Sequence, residues 1–365
     1  MRTLSQLTAL FALSLTAAAA TGGAGSSIAA EPARTADEAP ATTAPFMSPL
    51  EPRTQAFIEA LAARGGPPLY TLPVADARAF LVALQAEYAP AAPRPAADIE
   101  DEVIPGGPTG SVSIRIVRPK GCAAPLPIVM DFHGGGWILG DEKTHDRLIR
   151  EIASRAHAAV VFVKYTPSPE AKFPAPLEQA YAATRYMADN GSRFGLDGSR
   201  LAVAGDSVGG NMATIVARLA KERGGPKLRY QALFYPVTDA SFDDASYQRF
   251  AGGPWLTKPA MEWFFNAYAP TLADRAKPDV SPLRASLAQL QGLPPALIIT
   301  DENDVLRDEG EAYAHKLMRA GVSVTAVRYL GTIHDFMMLD ALADTPASQS
   351  ATALAGDKLR EALAR

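Results

Sequence analysis

The chain has 365 residues, of which 48% are hydrophobic and 20% charged, and its net charge is −4. This composition is ordinary for a soluble globular protein, and the length allows two domains or one large α/β domain with additions. Because no basic field is available to attract nucleic acid or an anionic membrane, neither partner is predicted. A single cysteine, Cys122, excludes an intramolecular disulfide and a cysteine-based zinc cluster.

Residues 1–30 have the pattern of a secretory signal peptide. Arg2 precedes an apolar run at 7–20, and small residues continue to Ala30. The run is too short to span a bilayer comfortably, and the alternatives are a retained anchor or a buried helix. We predict a periplasmic or secreted protein with no stable membrane insertion after cleavage.

The folded region is predicted to be residues 51–365. Residues 31–50 are rich in Pro, Ala and Thr, and read as a disordered lead-in. Apolar residues then recur at helical spacing in 54–65 and 74–88. Because the apolar faces of this helical pair must cover something, we expect a cap element at about 51–95.

Strands alternate with helices from about Ser111 onwards. The stretch 111–119 alternates polar and apolar residues like an edge strand, whereas PIVMDFH and AAVVFVKY are continuous apolar runs typical of buried strands. Helices are expected at 143–157, 176–194, 211–220, 308–320 and after Pro346, and strands at 200–205, 229–237, 295–300 and 322–330. This order predicts an α/β fold with a mostly parallel sheet and right-handed crossovers.

The segment 239–291 interrupts this alternation. It contains no convincing strand, but it is rich in aromatic residues, namely Phe242, Tyr247, Phe250, Trp255, Trp263, Phe264, Phe265 and Tyr268. One interpretation is a helical insertion with its own small core. The other is a second cap element that supplies apolar walls to a pocket.

The stretch LAVAGDSVGGNM places Ser207 among Gly205, Gly209 and Gly210, between a short apolar strand and a helix. Glycines tolerate positive φ and allow close backbone approach, so three around one hydroxyl indicate a cramped bend that presents the serine. This is the G-x-S-x-G pattern of a nucleophile elbow.

A second glycine cluster, HGGGWILG at 133–140, follows the strand PIVMDF directly. Its glycines expose backbone N–H groups that could stabilise an oxyanion. Neither cluster fits a phosphate-binding or dinucleotide-binding pattern. We therefore predict an oxyanion loop, with His133 in a structural role within it.

Five histidines could supply the general base that a serine nucleophile needs. His145, His157 and His315 fall in predicted helices, where a structural or surface role is the simpler interpretation. His334 lies in GTIHDF, just after a predicted strand, on a loop expected at the same sheet edge as Ser207. His334 is the predicted base.

The carboxylate that orients this base should follow the strand PALIIT. Candidates are Asp301, Glu302, Asp304 and Asp308. Asp301 ends the strand and Asp308 suits a helix N-cap, whereas Asp304 has enough loop before it to reach His334. Asp304 is preferred, with the others left as alternatives.

The chain order Ser207, Asp304, His334 is that of α/β-hydrolases. With HGGGW, GDSVGG, NDVLRDEG and GTIHDF, the sequence resembles the bacterial hormone-sensitive-lipase-like esterases from about residue 50 to its end. The resemblance implies an α/β-hydrolase fold, mostly parallel, with a two-part helical cap. It also implies a nucleophile, base and acid at Ser207, His334 and Asp304, and oxyanion N–H donors at Gly135, Gly136 and Val208.

The sequence departs from the family pattern at three places. Val208 stands where alanine is usual and adds bulk beside the oxyanion, and 165–170 reads YTPSPE instead of a YRLAPE-like stretch. Asp335 replaces a glycine. Because neighbouring residues of an extended loop point to opposite sides, we expect Asp335 to be poorly placed to accept the Nδ1 proton of His334.

The predicted function is hydrolysis of short-chain acyl esters through an acyl-enzyme, with a small-molecule ester as partner and no metal or organic cofactor. An amidase or peptidase of the same fold is one alternative. The other is a receptor-like protein that uses the capped pocket only to bind a ligand. The presence of both His334 and Asp304 argues against the receptor.

Overall fold

The computed structural model describes residues 48–92, 94–122 and 125–364. The predicted signal peptide and most of the predicted lead-in lie outside the described residues. None of the described helices is both long and apolar enough to cross a membrane.

The centre of the molecule is an eight-stranded sheet in the order β1-β2-β4-β3-β5-β6-β7-β8. Its strands are β1 Ala97–Pro105, β2 Ser111–Pro119, β3 Leu126–Phe132, β4 Ala159–Lys164, β5 Leu196–Asp206, β6 Gln231–Phe234, β7 Ala296–Asn303 and β8 Val324–Ile333. Strand β2 runs antiparallel to β1 and β4, and the pairs from β4 to β8 are parallel. The prediction of a mostly parallel α/β sheet is confirmed.

Helices cover the sheet. They are α1 Pro52–Arg64, α2 Val74–Tyr88, α3 Asp146–Ala156, α4 Ala175–Asn190, α5 Val208–Glu222, α6 Ala245–Arg249, α7 Lys258–Tyr268, α8 Leu272–Arg275, α9 Leu287–Leu290, α10 Arg307–Arg319 and α11 Pro346–Leu363. Helix α3 packs on α11, and α4 packs on α5. Every residue of β3 is buried, as expected for a strand covered on both faces.

The prediction that 111–119 forms the sheet edge is wrong, because β1 pairs outside it. Strand β1 reads ADIEDEVIP, and only Ile104 is fully buried. Its acidic side chains pair with cations on β2, as in the Arg115–Asp101 and Arg118–Glu100 ion pairs. Backbone pairing and ion pairs hold strand β1 in the sheet. Because it needs few buried apolar side chains, its sequence lacks the apolar pattern by which a strand is recognised.

The segment 239–291 has four short helices, α6 to α9, and no strand. Its aromatic residues divide into two groups. Tyr247, Phe250, Phe265 and Tyr268 are fully buried in packing contacts. Trp255 and Phe264 instead line a cavity above Ser207. Each of the two interpretations of this segment therefore describes some of its residues.

The carboxyl ends of the parallel strands bring the predicted site together. The glycine-rich loop follows β3, Ser207 follows β5, Asp304 follows β7 and His334 follows β8. In a parallel sheet these ends share one edge, which is where α/β proteins form their ligand sites.

Candidate active site

Ser207 sits at a strained bend between β5 and α5. Its φ of 55° and ψ of −120° are unfavourable for a residue with a side chain. Its N–H donates to the carbonyl of Phe234 at 2.8 Å, which fixes the bend. At Gly209 an added Cβ would collide with the carbonyl of Phe132. Glycine there allows α5 to start directly against β3.

Three side chains from separate loops form one hydrogen-bonded chain. Nε2 of His334 lies 2.9 Å from Oγ of Ser207, and Nδ1 lies 2.8 Å from Oδ2 of Asp304. All three residues are buried. An imidazole held in this way can take a proton from the hydroxyl while the carboxylate stabilises the imidazolium.

Asp304 is the one of the four candidate carboxylates found in hydrogen-bond contact with the His334 ring among the described residues. Its other oxygen, Oδ1, accepts the N–H of Leu306 at 3.1 Å. Glu302 instead accepts the N–H of Gly331. These contacts orient the Asp304 carboxylate toward the ring.

The remaining two candidates have other surroundings. Asp301 is fully buried within β7, which continues to Asn303, and its carboxyl oxygens have no hydrogen-bond partner within the described part of the chain. Asp308 pairs with Arg307 and lies inside the first turn of α10, so the expectation that it forms the N-cap is wrong.

The loop after β3 presents backbone N–H groups toward the same place. Gly135 and Gly136 have φ values of 98° and 65°, which favour glycine. Among the described residues we find no acceptor for either N–H. An added Cβ at Gly136 would overlap the ring of Phe264. Val208 is buried at the start of α5, directly after Ser207.

A cavity of about 330 Å³ lies over this group of residues. Ser207, His334, Gly135 and Gly136 are at its base. Its walls are mainly apolar and come from the region of α1 and α2 and from the segment 239–291; they include Tyr70, Phe80, Leu81, Trp255, Leu256 and Phe264. This volume is at the small end of the range for ligand pockets, about 300–1,000 Å³.

The model of the alpha/beta hydrolase fold family matches residues 129–338. A carboxylesterase of Mycobacterium tuberculosis, NlhH, is 38% identical over 73% of this chain and 83% of its own. The ethyl acetate hydrolase of Pseudomonas putida is 39% identical over 64% of this chain and 73% of its own. The crystal structure of a thermostable esterase from Pseudomonas putida ECU1011 has a TM-score of 0.84 at 50% identity, covering 86% of this chain and 98% of that one.

The chain belongs to the hormone-sensitive-lipase-like family of α/β-hydrolase carboxylesterases. The resemblance inferred from HGGGW, GDSVGG, NDVLRDEG and GTIHDF is thereby confirmed at the level of the family.

In this family member, a buried ion pair ties the glycine-rich loop to the serine bend. Oδ1 of Asp206 accepts the N–H of Gly134 at 3.0 Å, and Oδ2 lies 3.3 Å from Nε2 of His145. Burial alone would lower the pKa of His145, but the charge of Asp206 and the contact with it raise that pKa to about 9. His145 immediately precedes α3, and nothing in its sequence surroundings indicates this contact.

His133 holds the start of the loop, in agreement with the structural role expected for it. Its ring stacks on Tyr165 at a centroid distance of 4.2 Å, and Tyr165 Oη donates to the His133 carbonyl at 2.9 Å. Burial, and then the nearby charge of His145, lower the pKa of His133 to about 4. His133 is therefore neutral at physiological pH. Burial, and then the charge of Asp206, raise the pKa of Asp131 below it to about 8.

Asp335 takes a conformation that differs from the sequence-based expectation. Its φ is 68°, so the loop is not extended there and the carboxylate turns toward the His334 ring. Oδ1 lies 3.5 Å from Nε2, while Oδ2 accepts a hydrogen bond from Nε1 of Trp255 at 2.9 Å. Asp335 is thus away from Nδ1, as expected, but for a different reason. The Asp335 carboxylate lies near Nε2, the ring nitrogen that also contacts Ser207.

One group of possible metal ligands coincides with this arrangement. Ligand atoms of Asp301, Asp304 and His334 lie within 4.8 Å of one another. Two of the three residues, Asp304 and His334, are hydrogen-bonded to each other through Nδ1. The arrangement of this group is therefore that of a hydrogen-bonded histidine–carboxylate pair.

Proposed function

We propose that the protein is a serine carboxylesterase that hydrolyses short-chain acyl esters. The observation that carries this proposal is the chain of contacts from Asp304 through His334 to Ser207, at the base of an apolar cavity. The esterase relatives give independent support for the reaction class.

In the proposed reaction, Ser207 Oγ attacks the ester carbonyl while His334 Nε2 takes its proton. Asp304 stabilises the resulting imidazolium through Nδ1. The oxyanion is assigned to the N–H groups of Gly135, Gly136 and Val208, because the first two have no acceptor in the described part of the chain and the third begins α5. His334 then protonates the departing alcohol. Water, activated by the same ring, hydrolyses the acyl-enzyme and releases the acid.

The preference for short acyl groups is supported by the size of the cavity and by the similarity to an ethyl acetate hydrolase. Phe80, Leu81 and Phe264 lie in its walls, so a long chain would have to leave the apolar surface. Amides are less suitable substrates because an amine leaves less readily than an alcohol.

The test is hydrolysis of p-nitrophenyl butyrate by wild type, Ser207→Ala and the control Ser192→Ala. Ser192 is exposed and precedes β5, at the opposite end of that strand from Ser207. We expect Ser207→Ala to lose several orders of magnitude in kcat, as when a triad member is removed. Ser192→Ala should match wild type. Retention of more than about a tenth of the turnover by Ser207→Ala would exclude the assignment.

The two alternatives give other outcomes in the same assay. A receptor-like protein would bind the ester without turnover by the wild type. An amidase would also hydrolyse the matched p-nitroanilide, whose amide bond is far less reactive than the ester, whereas a carboxylesterase would leave the anilide intact.

We also propose that residues 1–30 direct export. The support is the charged start, apolar run and small residues of the sequence. Expression of the full chain in a bacterial host should yield a periplasmic or secreted protein lacking this segment. N-terminal sequencing that finds residues 1–30 retained on the cytoplasmic protein would contradict export.

A further inference from the structure

We propose that Asp335 is a positioning residue for the general base: a second carboxylate that faces Nε2 of His334 and sets the pH at which the base becomes free. This inference rests on the proposed esterase function, since it assigns His334 as the base. Asp335 acts through His334 and not on the ester itself.

The conformation of the loop directs the carboxylate to this position. The left-handed backbone at Asp335 is closed by N–H groups of Met338 and Leu339, which donate to the Asp335 carbonyl at 2.8 and 2.9 Å. A residue with an ordinary φ would turn its side chain elsewhere. Only glycine adopts this φ without strain, and the asparagine and aspartate side chains tolerate it better than most.

A tryptophan from the segment 239–291 holds the carboxylate in place. Trp255 Nε1 donates to Oδ2, and the Trp255 ring packs against Phe57 of α1 at 5.9 Å. The other oxygen, Oδ1, is buried and has no hydrogen-bond partner among the described residues. It lies 3.5 Å from Nε2 of His334, and Asp335 as a residue lines the cavity. One oxygen is therefore anchored while the other faces the ring.

The ring nitrogen that faces Asp335 changes its character during the reaction. In neutral His334, with its proton on Nδ1 toward Asp304, Nε2 presents a lone pair that an ionised carboxylate repels. In the imidazolium, Nε2 presents an N–H that the carboxylate attracts. An ionised Asp335 thus favours the protonated ring, as Asp304 does from the opposite side.

Other charged or titratable groups also surround His334. They are Asp206 at the end of β5, Tyr235 after β6 and Asp301 on β7, and the charge of His145 acts on Asp335. Burial lowers the pKa of His334, but Asp304 and then Asp335 outweigh it and raise the pKa to about 9. Burial also raises the pKa of Asp335, which His334 opposes.

An ionised Asp335 therefore has two opposing effects on the rate of ester hydrolysis. The protonated ring is more stable, so less of the free enzyme has an available base at neutral pH. The same attraction stabilises the imidazolium that forms when Ser207 attacks. Removing the charge should therefore shift the acid limb of kcat/KM to lower pH and reduce the plateau at high pH.

The test compares Asp335→Asn and Asp335→Gly with wild type, using the pH dependence of kcat/KM for p-nitrophenyl butyrate. Asparagine keeps an acceptor for Trp255, and glycine suits the φ of 68°. In both variants we expect the acid limb to move down by about one pH unit or more, the effect of one charge at this distance. The control Asp344→Asn removes an equal charge from an exposed ion pair with Arg53 and should leave the limb in place.

Trp255→Phe separates this role from simple anchoring of the segment 239–291. It removes the anchoring hydrogen bond but keeps the carboxylate beside Nε2, so its acid limb should move down by less than that of Asp335→Asn. A shift in Trp255→Phe as large as in Asp335→Asn would overturn the proposal. An unchanged or upward limb in both Asp335 variants would overturn it as well.

A titration of the His334 imidazole by NMR distinguishes failure of this proposal from failure of the esterase function. It needs no turnover by the enzyme. If wild type does not hydrolyse esters, the esterase function fails, while a lower His334 pKa in Asp335→Asn still supports the electrostatic role. Equal pKa values in wild type and Asp335→Asn would contradict that role even in an active esterase.

Discussion

Two carboxylates face the ring of His334 from opposite sides, and their distances predict different roles. Asp304 is 2.8 Å from Nδ1, whereas Asp335 is 3.5 Å from Nε2. A short contact to Nδ1 fixes the tautomer in which Nε2 can act as a base. Asp304 should therefore matter for the rate at every pH, whereas Asp335 should matter mainly for the pH at which the rate rises.

We expect Asp304→Asn to lose orders of magnitude in kcat. Asparagine keeps the size but removes the charge and favours the wrong tautomer, a change that costs about 10⁴ in a related triad. Asp301→Asn is the matched control because Asp301 is equally buried and lies close to the same ring, yet among the described residues it makes no hydrogen bond to it. This variant should lose about tenfold or less in kcat, since the hydrogen bond from His334 Nδ1 to Asp304, which fixes the tautomer, is kept.

Both variants should be checked for folding by circular dichroism before kcat is measured. A folded Asp301→Asn or Asp335→Asn that is slower than Asp304→Asn would refute the assignment of Asp304.

At the scale of single residues, motif and chain order are enough to predict which side chains meet. Ser207, Asp304 and His334 each follow a predicted strand, and the parallel sheet brings such ends to one edge. The orientation of Asp335 could not be predicted. It depends on one backbone φ and on Trp255, which is 80 positions away in the chain.

At the scale of elements, the Asp206–His145 pair joins the end of β5 to the start of α3 and to the loop after β3. The folded pKa of His145, about 9, exceeds the value of about 6.5 for an unfolded histidine. The stability that charged His145 adds to the folded state is therefore fully present below about pH 6.5 and is lost as the pH rises through about 9. Asp206, whose pKa is lowered, adds stability that is lost only in acid.

We expect His145→Gln to lower Tm most at about pH 6 and least above about pH 9, because the lost interaction is the charged one. Glutamine can still reach Asp206, as Nε2 does, but carries no charge. Thermal unfolding across this pH range measures the difference. His315→Gln, on the exposed side of α10, serves as the control and should show no such trend. A His145→Gln deficit that grows toward pH 9 would contradict a charged His145.

Element prediction failed where backbone pairing and charge hold a strand without an apolar pattern. In strand β1 three consecutive acidic residues interrupt the apolar ones and Val103 is exposed, so its sequence resembles a loop. By contrast, β3 and β4 are continuous apolar runs, and their positions were predicted closely. The His145 contact was missed for a related reason: it requires three elements to meet, and sequence spacing contains no information about that meeting.

At the scale of the whole molecule, the small cavity predicts a limit on acyl length. Aryl esters with about two to six acyl carbons should have higher kcat/KM than those with twelve or more, because a short acyl group already fills the small apolar cavity. Steady-state kinetics on a series of p-nitrophenyl esters measures this. A kcat/KM that rises steadily up to about sixteen carbons would indicate an open groove instead.

Phe264→Ala tests whether the wall sets that limit. Phe264 borders the cavity and lies against Gly136. Its truncation should shift the preferred chain to longer acyl groups. Asn266→Ala, at an exposed position of α7 that is absent from the cavity walls, should leave the preference unchanged. Equal chain-length profiles for Phe264→Ala and wild type would show that other residues limit the acyl chain.

Every role proposed at this site depends on Ser207 being the nucleophile. The most direct measurement is inactivation of the wild type by an aryl alkylphosphonate, with peptide mass mapping of the modified protein. If Ser207 is the nucleophile, lost activity and phosphonylation of Ser207 proceed together, with one adduct per chain, and Ser207→Ala takes up none. Complete inactivation with the adduct on another residue, or stoichiometric labelling of Ser207 with ester hydrolysis intact, would contradict it.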